Sequence, residues 1–447
     1  MKANIFGAGL VTLALVGCSA PEEAGHDAQQ ATQEAAKEMM MSAVGVADGA
    51  AVDAETGISL PAGFKATIFA DTVGEVRHIV AADNGWLYGA LRRSMRGMGV
   101  VALRDTDGDG VADQREYFGE SIQGSGIGVH NGHLYFSTDT AIMRWPLPES
   151  GVPTGEPTII AEGFVSETQH ASKNFTFDDD GNMYVNVGAP SNACMTEMRK
   201  KGSPGMRPCP ILEKYAGIWR FDADTPNQDQ MADGHRYTTG VRNALALDWN
   251  PHANALYLAQ HGRDQFASFF PDMYTNEQSA ELPSEEFHRL DDGYDVGWPY
   301  SYYDHLQGER MVMPEYGGDG KTVSTEGEKP LFGFPGHWAP NGMMFLHGNA
   351  MPAEYRKGAF IAFHGSWNRA PLPQQGYRVV YLPLDDDGAV AGDWVTFANG
   401  FAGPEPVMSP RNAVHRPMGL AEGPDGAIYI SSLMSAGRVW KVTYEGN

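Results

Sequence analysis

A 12-residue run, DTDGDGVADQRE, puts Asp105, Asp107, Asp109, Asp113 and Glu116 at the oxygen-ligand positions of a calcium loop. Gly110 falls at its tight turn and the Val111 backbone at the seventh place. A hard divalent cation takes about six to eight oxygens, which this spacing supplies. The flanks, VVALR and REYF, read as strands and not as a helix pair. An acidic hairpin turn is therefore the competing reading, and any ion held here is expected to be structural.

Three further clusters carry side chains able to move protons or hold anions. The first is Gln169-His170, an imidazole of near-neutral basicity ahead of a strand. The second is YTTGVRNALAL, with Arg242 and Asn243, followed by AQHGRDQF. The third joins PGHWAPNG, FHGSWNR and HRPMG, which contain His337, Trp338, Asn341, His364, Trp367, Asn368, Arg369 and Arg416. Guanidinium groups bind carboxylates in two-point geometry. Each cluster alone has an ordinary reading, since Trp and His beside Gly often serve turns or packing and Arg is usually a solvated charge.

What must position them is a recurring unit, a turn with Asp, Asn or Gly followed by an apolar, β-prone stretch. It occurs as NGWLYGAL (84–91), NGHLYFST (131–138), DGNMYVNV (180–187), NALYLAQH (254–261), KGAFIAFH (357–364) and DGAIYISS (425–432). Six copies about 40 to 100 residues apart, with little sustained helical period, predict an all-β, six-bladed β-propeller. A pair of β-sandwiches is the second choice. In a propeller, loops from every blade meet on one face, so residues far apart in sequence can share a site.

Taken together and in order, His170, GVRN, GRD, DVGWPYSY (295–302), HWAPNG, AFHGSWNRAPLP and RPMGLAEGPDG resemble the glucose and sorbosone dehydrogenase family that depends on pyrroloquinoline quinone (PQQ). The resemblance is nearest to its sorbosone-type branch and runs from about residue 60 to 445. It implies a propeller with PQQ over the axis and calcium beside it. Carried over, His170 matches the catalytic base, and Arg242 and Asn243 match the pair that contacts the quinone. The backbone oxygens of Gly262 and Arg263 match calcium ligands, with Asp264 a weaker addition. Trp338, Asn341, the segment with Trp367, Asn368 and Arg369, and Arg416 match regions that hold the cofactor. Gln123 is a loosely aligned contact. One departure stands out: where the glucose branch has an Asp that orients the base, this sequence has Gly188-Ala189. Sorbosone-type sequences lack that Asp as well.

The implied activity is hydride transfer from a sugar, sugar aldehyde or related alcohol. Competing functions are a calcium-dependent propeller lactonase or esterase, and a non-catalytic carbohydrate-binding propeller. No Cys-x-x-Cys-His occurs to attach a haem, so a separate acceptor, a cytochrome or quinone, is implied.

At the N-terminus, Lys2, the apolar run Ile5 to Val16 and Leu15-Val16-Gly17-Cys18 read as a signal peptide (1–18) with a lipobox. Cys18 would take the lipid, anchoring the protein at the outer membrane on its periplasmic or surface side. Residues 19–57 read as a tether and 58–447 as the propeller. With Cys18 assigned, Cys194 and Cys209 remain as an expected disulfide, two free thiols being the alternative. The balance of 32 Lys and Arg against 56 Asp and Glu gives −24, which excludes non-specific nucleic-acid binding. An anionic ligand would need a local positive pocket.

Overall fold

The computed structural model describes residues 51–434 and 436–446. The expected signal segment, Cys18 and the tether up to residue 50 lie outside the described residues. Six antiparallel four-stranded units follow one another along the chain, as the repeats predict.

Blade one is Val76–Ala81, Leu87–Met95, Met98–Arg104 and Gln114–Glu120. Blade two is Ile127–His130, His133–Ser137, Ile142–Pro146 and Thr158–Glu162. Blade three is Phe175–Phe177, Asn182–Val187, Gly217–Asp222 and His235–Thr239. Blade four is Ala246–Asn250, Ala255–Gln260, Glu285–Leu290 and Phe332–Phe334. Blade five is Pro340–Met344, Ala359–Phe363, Arg378–Leu382 and Val395–Ala398. Blade six takes Pro417–Glu422, Ile428–Ser432 and Arg438–Tyr444 from the C-terminal end and Phe64–Asp71 from the N-terminal end.

Each of the six sequence repeats is the second strand of one blade with the turn that enters it. The turn chemistry explains the pattern: Gly85, Gly132, Gly181 and Gly426 all take positive φ, and Asn254 does so in blade four. The first strands of the blades line the axis and neighbour one another in a ring. Between successive blades lie six apolar cores. Tyr88 meets Phe136 and Trp145 between blades one and two, and Tyr135 meets Val185 and Trp219 between two and three. Tyr184 meets Leu256 between three and four, and Tyr257 meets Ile361 and Val380 between four and five. Phe360 meets Ile430 and Trp440 between five and six, and Val101 meets Tyr429 and Val439 between one and six.

The ring is closed by pairing of Phe64–Asp71 with Arg438–Tyr444, which joins the two ends of the domain. The folded part begins before residue 58. Asp53 caps a turn through Glu55 N, Thr56 N and Thr56 Oγ1, and Trp440 Nε1 donates to Thr56 O at 2.9 Å.

The axis itself is polar. Asn174 Nδ2 donates to Leu245 O at 2.7 Å, Ser125 Oγ donates to Asn174 Oδ1 at 2.9 Å, and His78 Nε2 meets Asn341 O at 2.6 Å. This network draws on blades one to five and forms the floor of a well at the entry ends of the first strands.

Two excursions build a wall beside that well. One is the 194–209 loop, closed by a disulfide between Cys194 and Cys209 with Cα atoms 6.2 Å apart. The other leaves blade four after Gln260. It contains the short helices Phe266–Phe269 and Asn276–Glu281, the latter with a capping box on Thr275, and packs with the hairpin Ser301–Asp304/Glu309–Val312, which leaves blade four separately after Leu290. It packs around its own apolar cluster of Phe266, Tyr274, Leu282, Tyr302, Met311 and Met313.

Candidate active site

The well has a volume of about 830 Å³ and is lined from all six blades. That lies within the usual range of ligand cavities, about 300–1,000 Å³. His170 and Arg242, 72 residues apart in sequence, both face it.

His170 sits in left-handed backbone, φ 53°, just before the first strand of blade three. A non-glycine residue in that region stores strain, and such residues gather at functional sites. Its Nδ1 lies 2.5 Å from Ala189 O, and a carbonyl only accepts, so Nδ1 carries the proton and Nε2 keeps its lone pair. The carbonyl of Ala189 thus does the orienting that the missing Asp would do. Enclosure in the well, followed by the charge of Arg242, pushes the imidazole down to about 3. Gly188 makes the arrangement possible, because a Cβ there would lie 2.6 Å from Asn243 Oδ1 and 2.7 Å from His170 Cβ.

Arg242 is 3% exposed. Its Nη2 donates to Asn192 Oδ1 at 3.0 Å and Asp264 Oδ2 at 3.2 Å, and its Nε donates to Asn192 O at 3.2 Å. Asn243 Nδ2 meets His261 Nδ1 at 3.3 Å, while Asn186 Nδ2 donates to Asn243 Oδ1 at 3.2 Å. Asp264 is a hub: one oxygen accepts from Arg199 at 2.8 Å as well as from Arg242, the other from Asn368 Nδ2 at 2.7 Å. Burial works to raise its pKa, and Arg242 with Arg199 outweighs it, holding the carboxylate at about 2. Asp264 therefore brackets the guanidinium groups of Arg199 and Arg242 next to the Gly262–Arg263 carbonyls.

The fit to the implied cofactor and ion rests on groups left without partners. Neither the Gly262 nor the Arg263 carbonyl accepts a hydrogen bond among the described residues, so both oxygens are free for a cation. Gly262 is fixed by donation of its N–H to Glu285 Oε2 at 2.8 Å, and Glu285 also accepts from Ala339 N at 3.0 Å. Burial pushes Glu285 up to about 8. Asn341 lines the well, is 5% exposed, and its Oδ1 has no hydrogen-bond partner among the described residues. His364 Nδ1 is likewise unpartnered. Arg416 reaches backbone oxygens of His364, Gly365 and Ser366, and Trp367, 56% exposed, stands at the mouth. Gln123 and Asn368 also line the well.

Two expected contacts are absent from it. Trp338 is 4% exposed and packs edge-on against Phe363 and Trp394 under Arg378, because the left-handed residues His337 and Ala339 on either side turn it into the core. Arg369 is spent on Glu281 at 2.7 Å and on backbone oxygens of Ala280, Gly336 and Pro373. The sequence reading missed Asn192, Arg199, Glu285 and Arg77. Asn192 and Arg199 sit next to and in the disulfide loop, where proximity to Cys194 was the one available signal, and Glu285 begins the third strand of blade four.

The Asp105–Glu116 loop lies away from the well, as a hairpin between the third and fourth strands of blade one. Carboxylate oxygens of Asp105, Asp107 and Asp109 come within 4.8 Å of one another. Asp105 accepts Gly108 N and Gly110 N, and Asp109 accepts Val111 N. Asp113 is turned to Thr106 and Glu116 is on the strand, so neither joins the group. The backbone is a hairpin turn, and three of the five expected carboxylates converge in it.

A family model described as TrAA12-like matches residues 58–445. Over 191 residues the chain is 28% identical to a PQQ-dependent pyranose dehydrogenase of Coprinopsis cinerea, covering 36% of this chain and 24% of that protein. Over 265 residues it is 25% identical to an uncharacterised protein of Borreliella burgdorferi, covering 59% of this chain and 60% of that one. The matches thus span 60% and 24% of those relatives' lengths. Among solved structures, the holo PQQ domain of the Coprinopsis cinerea pyranose dehydrogenase shares the fold with a TM-score of 0.68. Identity there is 20%, and 86% of this chain and 97% of that one are covered. The iodide structure of a Trichoderma reesei carbohydrate-active enzyme of family AA12 gives 0.70 at 16% identity, with 87% and 97% covered. Since the family model runs through all six blades, the chain belongs to the TrAA12-like family.

Proposed function

We propose that the protein is a PQQ-dependent oxidoreductase acting on a sugar or sugar aldehyde, sorbosone-type aldehydes among them. The observation that carries this is the fixed His170: Nδ1 is held by Ala189 O and the Nε2 lone pair is free, in a well lined by Arg77, Arg242 and Arg416.

PQQ, when bound, supplies the two-electron acceptor for the substrate's hydride, with calcium as its Lewis acid. His170 Nε2 takes the proton of the substrate hydroxyl. Arg242, held by Asn192 and Asp264, would stabilise negative charge growing on an oxygen in the well; losing one such donor typically costs about 10²- to 10³-fold in rate. Arg416 and Asn341 would hold the cofactor's carboxylates and polar edge, and the Gly262 and Arg263 carbonyls would hold calcium. Trp367 at the mouth keeps bulk water from the ligand. An external cytochrome or quinone would serve as the electron acceptor. The Leu15–Cys18 pattern supports a lipid-anchored protein on the periplasmic or surface side of the outer membrane.

Adding PQQ and calcium to purified apo-protein tests the proposal. Saturable binding followed by bleaching of an artificial acceptor with aldoses or sorbosone is the expected result. Lactone hydrolysis without any acceptor, or no PQQ binding, would overturn it.

A further inference from the structure

Arg77 enters the well from the first strand of blade one and is 9% exposed. A single hydrogen bond from Nη1, 2.7 Å to Ser172 Oγ, engages the guanidinium, and its Nε has no partner among the described residues. Arg242 and Arg369 are neutralised by Asp264 and Glu281, yet no carboxylate among the described residues lies within ion-pair distance of Arg77. Its charged neighbours are Arg92, which repels it, and Asp139, which also lines the well. A buried cation without a counter-ion is expensive, and two guanidiniums facing one cavity make it more so. An arriving anion relieves both.

The location says which part of a ligand that anion belongs to. Ser172 is two residues past His170, so the Arg77 guanidinium is tied to the base's side of the well, and its charge also reaches His364 of blade five. The groups suited to the cofactor, Asn341, Trp367, Asn368 and Arg416, come from blades five and six.

We propose that Arg77 and Arg92 form a carboxylate subsite beside His170, and that the preferred substrate is a uronic acid, a sugar bearing its own carboxylate. This rests on the oxidoreductase reading above. The same chemistry could be met by a carboxylate of PQQ, so the test separates the two sources.

Wild type, R77Q and R92Q are compared in three measurements. R77Q keeps a donor for Ser172, and R92Q alters an exposed residue that does not threaten folding. Calorimetry of the apo-protein with glucuronate and with glucose reads the subsite directly. Titration with PQQ reads cofactor affinity. Dye reduction by the loaded enzyme reads the ratio of kcat/KM for uronate over aldose. The wild-type ratio is expected above one and should fall roughly 10- to 100-fold in R77Q and less in R92Q, the size expected for one lost charge-assisted contact. A ratio below one in wild type, or one that R77Q leaves unchanged, overturns the proposal. A loss of PQQ affinity in R77Q with no change in the ratio assigns the subsite to the cofactor, and also overturns it. If no sugar is oxidised although PQQ binds, the oxidoreductase reading fails by itself. Calorimetry then still decides the subsite, glucuronate binding lost in R77Q supporting it and no glucuronate binding sinking it.

Discussion

The Nδ1 of His170 and the carbonyl oxygen of Ala189 lie 2.5 Å apart, and this contact sets which ring nitrogen is basic. A backbone oxygen orients the imidazole without adding a charge to it, unlike a carboxylate partner, so the base stays neutral far into the acid range.

Replacing His170 with Ala should lower turnover roughly 10²- to 10⁴-fold, the usual worth of a general base. PQQ affinity should stay close to that of the wild type, since cofactor-side groups come from other blades. Stopped-flow dye reduction alongside a PQQ titration checks both, and turnover equal to wild type would remove His170 from the mechanism.

Gly188→Ala places a methyl group into Asn243 Oδ1 and His170 Cβ. The base must shift, and a displacement of about 1 Å can cost about 10²-fold in rate. The expected signature is a fall in kcat with little change in melting temperature. A variant with full kcat would show that the base tolerates movement.

Acid should weaken the apo-protein as its buried imidazoles are called on to take protons. His78 and His170 are pushed down to about 4 and about 3 by burial first and then by Arg77 and Arg242. In the unfolded chain they take protons near about 6.5. The unfolded state therefore binds more protons below that value, and stability falls as pH drops from about 6.5 to about 5. His78→Gln, which keeps a polar group on the floor but cannot titrate, should flatten the dependence of Tm on pH in that window. An identical slope in the variant would contradict the assignment.

Arg263 Nη1 lies 2.6 and 2.7 Å from the two carboxylate oxygens of Glu315 in a fully buried ion pair that ties the segment after the Ser301–Val312 hairpin to the Gly262 loop. Glu315→Gln leaves a buried guanidinium half-compensated and should destabilise by about 3–5 kcal/mol. Urea denaturation gives the number. A loss under about 1 kcal/mol, the range of an exposed pair, would show that water reaches the site.

Opening the Cys194–Cys209 bridge, whose partners are 15 residues apart, should cost about 3 kcal/mol. The loop also carries Arg199, which pairs with Asp264, so Cys194→Ser with Cys209→Ser should lower kcat as well as Tm. Unchanged kcat would make the bridge purely structural.

The blade count was legible because a hairpin turn imposes its own residues: in blades one, two, three and six an Asn-Gly or Asp-Gly pair turns the chain into the second strand. His170, Arg242 and Asn243 were legible as motif members. Trp338 and Arg369 were misread for a physical reason, since neighbouring loop residues share a motif but not a direction. Positive φ at His337 and Ala339 turns Trp338 inward, and Glu281 from a distant helix captures Arg369. Arg77 could not be found from sequence, because its meaning lies in lacking a counter-ion. The orienting group at Ala189 is backbone, which no residue type announces.

The pairing of Phe64–Asp71 with Arg438–Tyr444 also has a consequence in time. The strand made first waits for the strand made last, and until then it presents open hydrogen-bonding edges to other chains. Contacts between residues this remote slow folding. Synthesis halted before Arg438 should therefore leave a chain with five potential blades and an unclosed seam, a species prone to self-association.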